Sequence, residues 1–170
     1  MNDFRIGHGY DVHARADGLP LRLGGVLIEP PRGCVAHSDG DVLLHALMDA
    51  ILGCMGGGDI GRMFPDSDPR WENASSSLML EHVLDKAAKS GIRVTHADLT
   101  VIAQKPKLAP HAGEIVRNVA RLLRLPLGHV NFKATTEEGL GFTGEVRGIK
   151  AAAMVMGLRE ESGAWREECC

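Results

Sequence analysis

The sequence predicts an α/β (α+β) sandwich, a mixed β-sheet covered by helices on one face. Strand-like and helix-like runs alternate along the chain, the order that lays a helical layer on a sheet. Of the 170 residues 44% are hydrophobic and 24% charged, the balance of an ordinary globular chain able to bury a proper core. No internal repeat or low-complexity linker interrupts it. That predicts one domain over 1–158, followed by a charged tail over 159–170 that frays.

In chain order, residues 4–13 and 21–28 read as two strands joined by the turn Asp17-Gly18-Leu19-Pro20. Residues 41–55 have the length and apolar density of a buried helix. Ser38-Asp39-Gly40-Asp41 resembles a capping box before it, and Gly56-Gly57-Gly58 stops it, because glycine accepts the left-handed conformation at a helix end. Residues 59–73 form a polar loop rich in Gly, Pro and Asp. An amphipathic helix over 76–89 stops at Gly91. Residues 93–103 read as a strand, 110–124 as a helix with proline in its first turn, and 130–135 as a strand. A glycine-rich connection over 137–148 leads to a last strand over 149–158, built largely from small residues.

The formal net charge of -3, with both signs interspersed, argues against a nucleic-acid or membrane-surface protein. Aromatics make up 4%, too few for a base-stacking platform. Cys34, Cys54, Cys169 and Cys170 contain no CxxC pair and fit neither a zinc knuckle nor a disulfide framework, so reduced thiols are expected. Met1 to Arg5 run straight into the first strand without a signal or transit segment, which makes the chain cytoplasmic by expectation.

The chemistry begins with Asp11-Val12-His13. Residues two apart on a strand point to the same face, so this carboxylate and imidazole converge. The first helix supplies His45, with Asp41 and Asp49 one turn to either side. Two nitrogens and one oxygen suit a zinc ion that keeps its fourth position open, although such residues also occur merely packed or hydrogen-bonded. Asp49 is expected either to orient a ligating imidazole from behind or to be a solvated helix carboxylate.

Neither GxxxxGK[ST] nor a strand-linked GxGxxG is present. Phosphate must then be held by metal, hydroxyls and backbone N–H groups. Ala36-His37-Ser38 before a helix N-terminus is one candidate, and Ala134-Thr135-Thr136-Glu137-Glu138 at a strand end is another; both also read as ordinary caps and strand ends. Glu138 suits magnesium or manganese shared with phosphate oxygens. The acidic loop with Asp59-Ile60-Gly61 and Phe64-Pro65-Asp66-Ser67-Asp68-Pro69 can grip a ribose diol, or be only a solvated turn. These residues point to a metal-dependent enzyme acting on a phosphorylated compound.

Five ordered blocks carry a resemblance: residues 5–13, 36–41 with His45, 58–66 around Gly58-Asp59-Ile60-Gly61 and Phe64-Pro65-Asp66, 102–107, and 131–142 around Lys133-Ala134-Thr135-Thr136 and Gly139-Leu140-Gly141-Phe142. Over about residues 4–157 the chain resembles the 2-C-methyl-D-erythritol 2,4-cyclodiphosphate synthase family. The resemblance implies a homotrimer around packed sheets, with active sites between subunits. It also implies a phosphorus–oxygen lyase of the non-mevalonate isoprenoid pathway, which converts 4-diphosphocytidyl-2-C-methyl-D-erythritol 2-phosphate to the cyclic diphosphate and CMP.

By that pattern Asp11, His13 and His45 bind zinc and Glu138 binds Mg2+ or Mn2+. His37 and Thr136 stabilise the transferring phosphoryl group, with Ser38 beside them. Asp59, Ile60 and Gly61 hold the ribose, and Phe64, Asp66 and Asp68 form the loop at the erythritol portion. Ala103, Lys105, Pro106 and Lys107, with Ala134 and Thr135, enclose the cytidine diphosphate, and Phe142 is a further substrate-binding residue. Two departures stand out. Glu145 and Arg147 reverse the charge order the family shows beside an axial cavity that can take isoprenoid diphosphates. Asn73-Ala74-Ser75-Ser76 lacks the aspartate often found before the second helix, which leaves Ser75 or Ser76 to cap it.

Overall fold

The computed structural model describes residues 3–29, 32–65 and 67–159. Its frame is a five-stranded mixed sheet in the order β4-β1-β7-β5-β6. The strands are β1 (Asp3–Asp17), β4 (Arg32–Cys34), β5 (Ile92–Ile102), β6 (Val130–Thr135) and β7 (Gly148–Arg159). All neighbours are antiparallel except β5 and β6, whose parallel pairing requires the crossover through α4 (Ala112–Leu123). Helices α1 (Val42–Cys54), α3 (Ser76–Lys89) and α4 form one layer against the sheet, as expected. No helix among the described residues is long and apolar enough to cross a membrane.

β1 is four residues longer at its end than the sequence pattern predicts, because Arg15, Ala16 and Asp17 pair with the unforeseen β4. The single strand expected over 21–28 is instead a hairpin, β2 (Leu21–Leu23) and β3 (Val26–Ile28), in a sheet of its own. Gly24 and Gly25 turn it with φ of 62° and 78°, a left-handed pair that glycine adopts without strain. The loop over 59–73 contains a helical turn α2 (Ile60–Met63) and a 3-10 turn over Pro69–Trp71, capped by Asp59 and Asp68. Another short helix, α5 (Gly141–Gly144), interrupts the glycine-rich connection.

Helix α3 and strand β6 have the predicted bounds. The α1 cap differs. Asp41 itself accepts the Leu44 N–H at 3.0 Å and, fully buried, also the N–H groups of Gly24 (2.9 Å) and Gly25 (2.6 Å). One carboxylate thereby fastens the hairpin to the start of α1, while burial pushes its pKa up against those bonds. Ser75 holds the N-cap position of α3 without a side-chain capping bond, and the Ser76 hydroxyl is committed elsewhere. Arg159 belongs to β7, opposite Asp3 and Ile92. The rest of the expected tail, with Cys169 and Cys170, lies outside the described residues. Cys34 and Cys54 are buried and unpaired.

Side-chain parity sets the two faces of the sheet. Along β1 the odd residues from Gly7 to Arg15 face the helices, and the even ones from Phe4 to Ala14 are exposed. A bulge between Val94 and His96 switches the buried parity of β5. The outer face carries an apolar group comprising Ile6, 70% exposed, Phe4, Tyr10, Val12, Met154 and Met156.

Candidate metal centre and substrate cleft

Strand β1 can bring its donors to α1 because Gly7 and Gly9 have no side chains. A Cβ on Gly9 would lie 1.9 Å from the Ala46 carbonyl oxygen, and one on Gly7 1.8 Å from that of Ala50. The helix backbone therefore rests directly on the strand. His45, beside Ala46, then stands over Asp11 and His13, the next two inward-facing residues. His13 Nε2 lies 3.0 Å from His45 Nδ1 and 3.1 Å from Asp11 Oδ2, and His45 Nδ1 lies 3.0 Å from that same oxygen.

These three atoms fit a metal ion. Donors around tetrahedral zinc at ~2.0–2.1 Å stand ~3.3 Å apart, and the donor set is the nitrogen–oxygen mixture that zinc accepts. The observed triangle, 3.0–3.1 Å on each side, needs only to open slightly to reach that spacing. Burial opposes the charged form of Asp11, but the adjoining imidazoles of His13 and His45 outweigh it and hold the carboxyl well below the usual range.

The second nitrogen of His45, Nε2, faces Ser38 Oγ at 3.0 Å and Ser76 Oγ at 3.1 Å. Asp49, one turn along α1 from His45, accepts the Ile60 N–H at 2.8 Å and fixes the start of α2. No motif announced Ser76, whose only sequence signal is its place at the first turn of α3.

A cleft of about 560 Å3 opens above the three donors. His37, Ser38, Ile60, Gly61, Phe64 and Asp68 line it with Asp11, His13 and His45, so one cleft gathers nine expected site residues. Asp59 is not among the lining residues; its Oδ1 caps α2 by accepting the Arg62 N–H at 2.9 Å. Asp66 lies outside the described residues. Trp71, which the sequence pattern did not single out, stacks edge-on against Phe64 at 4.7 Å and against His82 at 5.5 Å, and so pins the loop to α3.

The remaining expected residues form a second cluster that lines no part of this cleft. At the end of β6 the Thr136 hydroxyl donates to Glu138 Oε1 at 2.8 Å, and Glu138 adopts φ of 52°. Ala103, at the end of β5, donates its N–H to the Thr135 carbonyl at 3.0 Å. The adjoining loop carries Lys105 and Lys107 on either side of Pro106, with a cis Lys105–Pro106 bond. Ala134 and Thr135 are exposed beside it. Buried Arg15 joins this loop to β4 by donating to the carbonyls of Lys105 and Arg32. Phe142 stands apart from the cleft, under the Lys150 ammonium at 4.8 Å. Glu145 and Arg147 form an ion pair at 2.7 Å despite their reversed order.

Known proteins resemble this chain closely in sequence and fold. A bifunctional enzyme IspD/IspF of Nitratidesulfovibrio vulgaris is 62% identical over 154 residues, which cover 91% of this chain and 39% of that enzyme. The chain thus spans well under half the length of that relative. The 2-C-methyl-D-erythritol 2,4-cyclodiphosphate synthase of Geobacillus kaustophilus is 54% identical over 153 residues, covering 90% of this chain and 97% of the synthase. A solved structure of 2C-methyl-D-erythritol-2,4-cyclodiphosphate synthase in a CDP-bound form superposes with a TM-score of 0.84 at 40% identity, covering 90% of this chain and 99% of that one. The model of the YgbB family matches residues 4–157, and with relatives this similar over nearly their whole length the chain belongs to the YgbB family.

Proposed function

We propose that this chain is a 2-C-methyl-D-erythritol 2,4-cyclodiphosphate synthase of the non-mevalonate isoprenoid pathway. It closes 4-diphosphocytidyl-2-C-methyl-D-erythritol 2-phosphate to the cyclic diphosphate and releases CMP. The observation that carries this reading is the convergence of Asp11, His13 and His45 on the floor of an open cleft. The synthase of known structure in its CDP-bound form supports a cytidine diphosphate group in the substrate.

In the reaction an oxygen of the 2-phosphate forms a bond to the β-phosphorus while the bond from that phosphorus to the CMP oxygen breaks. No water is consumed. The nucleophile is already an anion, so no strong general base is needed; repulsion and alignment are the obstacles. A zinc ion held by Asp11, His13 and His45, with Mg2+ or Mn2+ at Glu138, would neutralise charge on the phosphoryl oxygens. His37 and Thr136 then donate to the oxygens on which charge grows. Asp59, Ile60 and Gly61 grip the ribose, and Ser38 with the Phe64–Asp68 loop receives the erythritol portion. Ala103, Lys105, Pro106, Lys107, Ala134 and Thr135 enclose the cytidine diphosphate, and Phe142 is a further substrate-binding residue.

The second cluster stands outside the cleft of its own protomer, and the outer sheet face is apolar and exposed. Both observations support a homotrimer in which a neighbouring subunit brings Thr136 and Glu138 to each cleft. The catalytic domain comprises residues 1–158, and the buried unpaired thiols suit the cytoplasm. The test is turnover of the authentic substrate with zinc and magnesium in 18O-labelled water, followed by 31P NMR and mass spectrometry. CMP and a cyclic diphosphate free of solvent oxygen are expected. Solvent oxygen in either product would make the chain a hydrolase instead.

A further inference from the structure

We infer that Ser76 and Asp39 are positioning residues that hold His45 in the tautomer able to ligate a metal. The inference rests on the proposed metal site at Asp11, His13 and His45. Ser76 has one hydroxyl proton, and it is donated to Asp39 Oδ1 in a short contact. An ionised carboxylate accepts and cannot donate, so the direction of that bond is fixed. Ser76 Oγ then has only lone pairs to offer His45 Nε2, 3.1 Å away. The imidazole proton must sit on Nε2, which leaves the Nδ1 lone pair facing Asp11 and His13.

The relay matters because Asp11 pulls the other way. Its Oδ2 lies 3.0 Å from His45 Nδ1, and in the absence of metal a carboxylate there favours the proton on Nδ1 through a charge-assisted hydrogen bond. That tautomer cannot bind a metal through Nδ1. Ser38 Oγ also reaches Nε2 at 3.0 Å, but it accepts the Gly40 N–H, and among the described residues no carboxylate sets its proton. Ser76 is fully buried, so water cannot readily replace its hydroxyl. The Asp39 N–H donates to the Ala74 carbonyl at 3.1 Å, which ties the carboxylate's loop to the segment that carries Ser76.

The test uses the full chain. Zinc affinity is measured by competition with a chromogenic chelator for the wild type, Ser76→Ala, Asp39→Ala and the double variant. Long-range 1H–15N spectra of the zinc-free proteins read the His45 tautomer. The wild type should carry its proton on Nε2. Each single variant should move it toward Nδ1 and weaken zinc about 10- to 100-fold, the usual effect of removing an outer-shell partner. The double variant should bind no more weakly than the weaker single one, because the two residues act through one chain. Unchanged affinity, an unchanged tautomer, or losses that multiply would overturn the relay. A wild type that binds no zinc would instead sink the metal reading, and its spectrum would still decide the tautomer. Asp39 is half-exposed, so Asp39→Ala carries the test if Ser76→Ala fails to fold.

Discussion

The close approach of β1 to α1 gives a sharp prediction for Gly9→Ala. The added methyl would sit 1.9 Å from the Ala46 oxygen, where ordinary contact begins at 3.4 Å. Strand and helix must therefore separate by about 1.5 Å, since packed interiors yield little. The helix is walled in by buried Leu43, Leu44, Leu47 and Ile51, so it cannot absorb the whole movement. Even if α1 takes half, His45 Nδ1 moves by roughly 0.7 Å, several times the ~0.2 Å tolerance of a metal–ligand distance. Overpacking of this kind costs about 1–3 kcal/mol, or a Tm lower by ~2–4 °C for each kcal/mol. Zinc affinity and turnover should fall about 100-fold, the scale of a 1 Å misplacement. Calorimetric zinc titration, thermal denaturation and the product assay read all three. Gly128→Ala is the control, because a Cβ there meets no atom within 4 Å. A folded Gly9→Ala protein with wild-type zinc affinity would refute the claim that this glycine sets the position of His45.

Three further outcomes follow from named contacts. Ile6→Asp places a charge on the exposed apolar sheet face; on the proposed assembly, sedimentation should show a smaller species than the wild type and the product assay a loss of turnover, while zinc affinity is unchanged. Asp41→Ala leaves the N–H groups of Gly24, Gly25 and Leu44 without their carboxylate; at about 1–3 kcal/mol for an unsatisfied buried donor, thermal denaturation should show a fall of at least several degrees. Burial pushes the Cys34 thiol up to about 12. The unfolded thiol ionises near pH 8.5 and therefore binds fewer protons than the folded one as pH rises above that value, so this group's contribution to stability should decline from there toward pH 12. Iodoacetamide at pH 8, read by mass mapping, should leave Cys34 unmodified until the chain is denatured.

Much of this architecture was legible because local signals agreed with tertiary need. Residues 76–89 are amphipathic and end before Gly91, and packing against α1 and β5 leaves those bounds unchanged. The Asp-X-His pair could be read from period-two geometry alone. The hairpin at Gly24–Gly25 departs from the single strand that residues 21–28 predict, although its glycine pair is a turn signal. Helical spacing places Asp49 one turn from His45 but cannot reveal that its carboxylate also receives the Ile60 N–H, which arrives from another segment. Ser76 escapes sequence reading for the same reason: its partner Asp39 is distant in sequence. Glycines 7 and 9 did carry a readable sign, since glycine inside a strand marks the close approach of another backbone.

The charge of the cleft explains why one protomer is an incomplete site on the proposed reaction. Asp11, Asp68 and Glu72 line it together with three histidines, and among the described residues no lysine or arginine does. Arg70 pairs with Asp68, so a diphosphate bearing a further phosphate would meet repulsion there chiefly from Asp11 and Glu72. At 4 Å two like charges cost about 4 kcal/mol at an effective dielectric constant of 20, enough to cancel micromolar binding when two such pairs act. The cations must therefore come from outside the cleft. Metal at the three donors is one source, and Lys105 and Lys107, exposed on the second cluster, are the other. Strand β1 serves both requirements through its parity. Its odd residues bring Asp11 and His13 to the metal, and its even residues present the apolar face on which a second copy would deliver those lysines. A one-residue deletion within β1 would exchange the two sets and destroy the metal site and the assembly surface together.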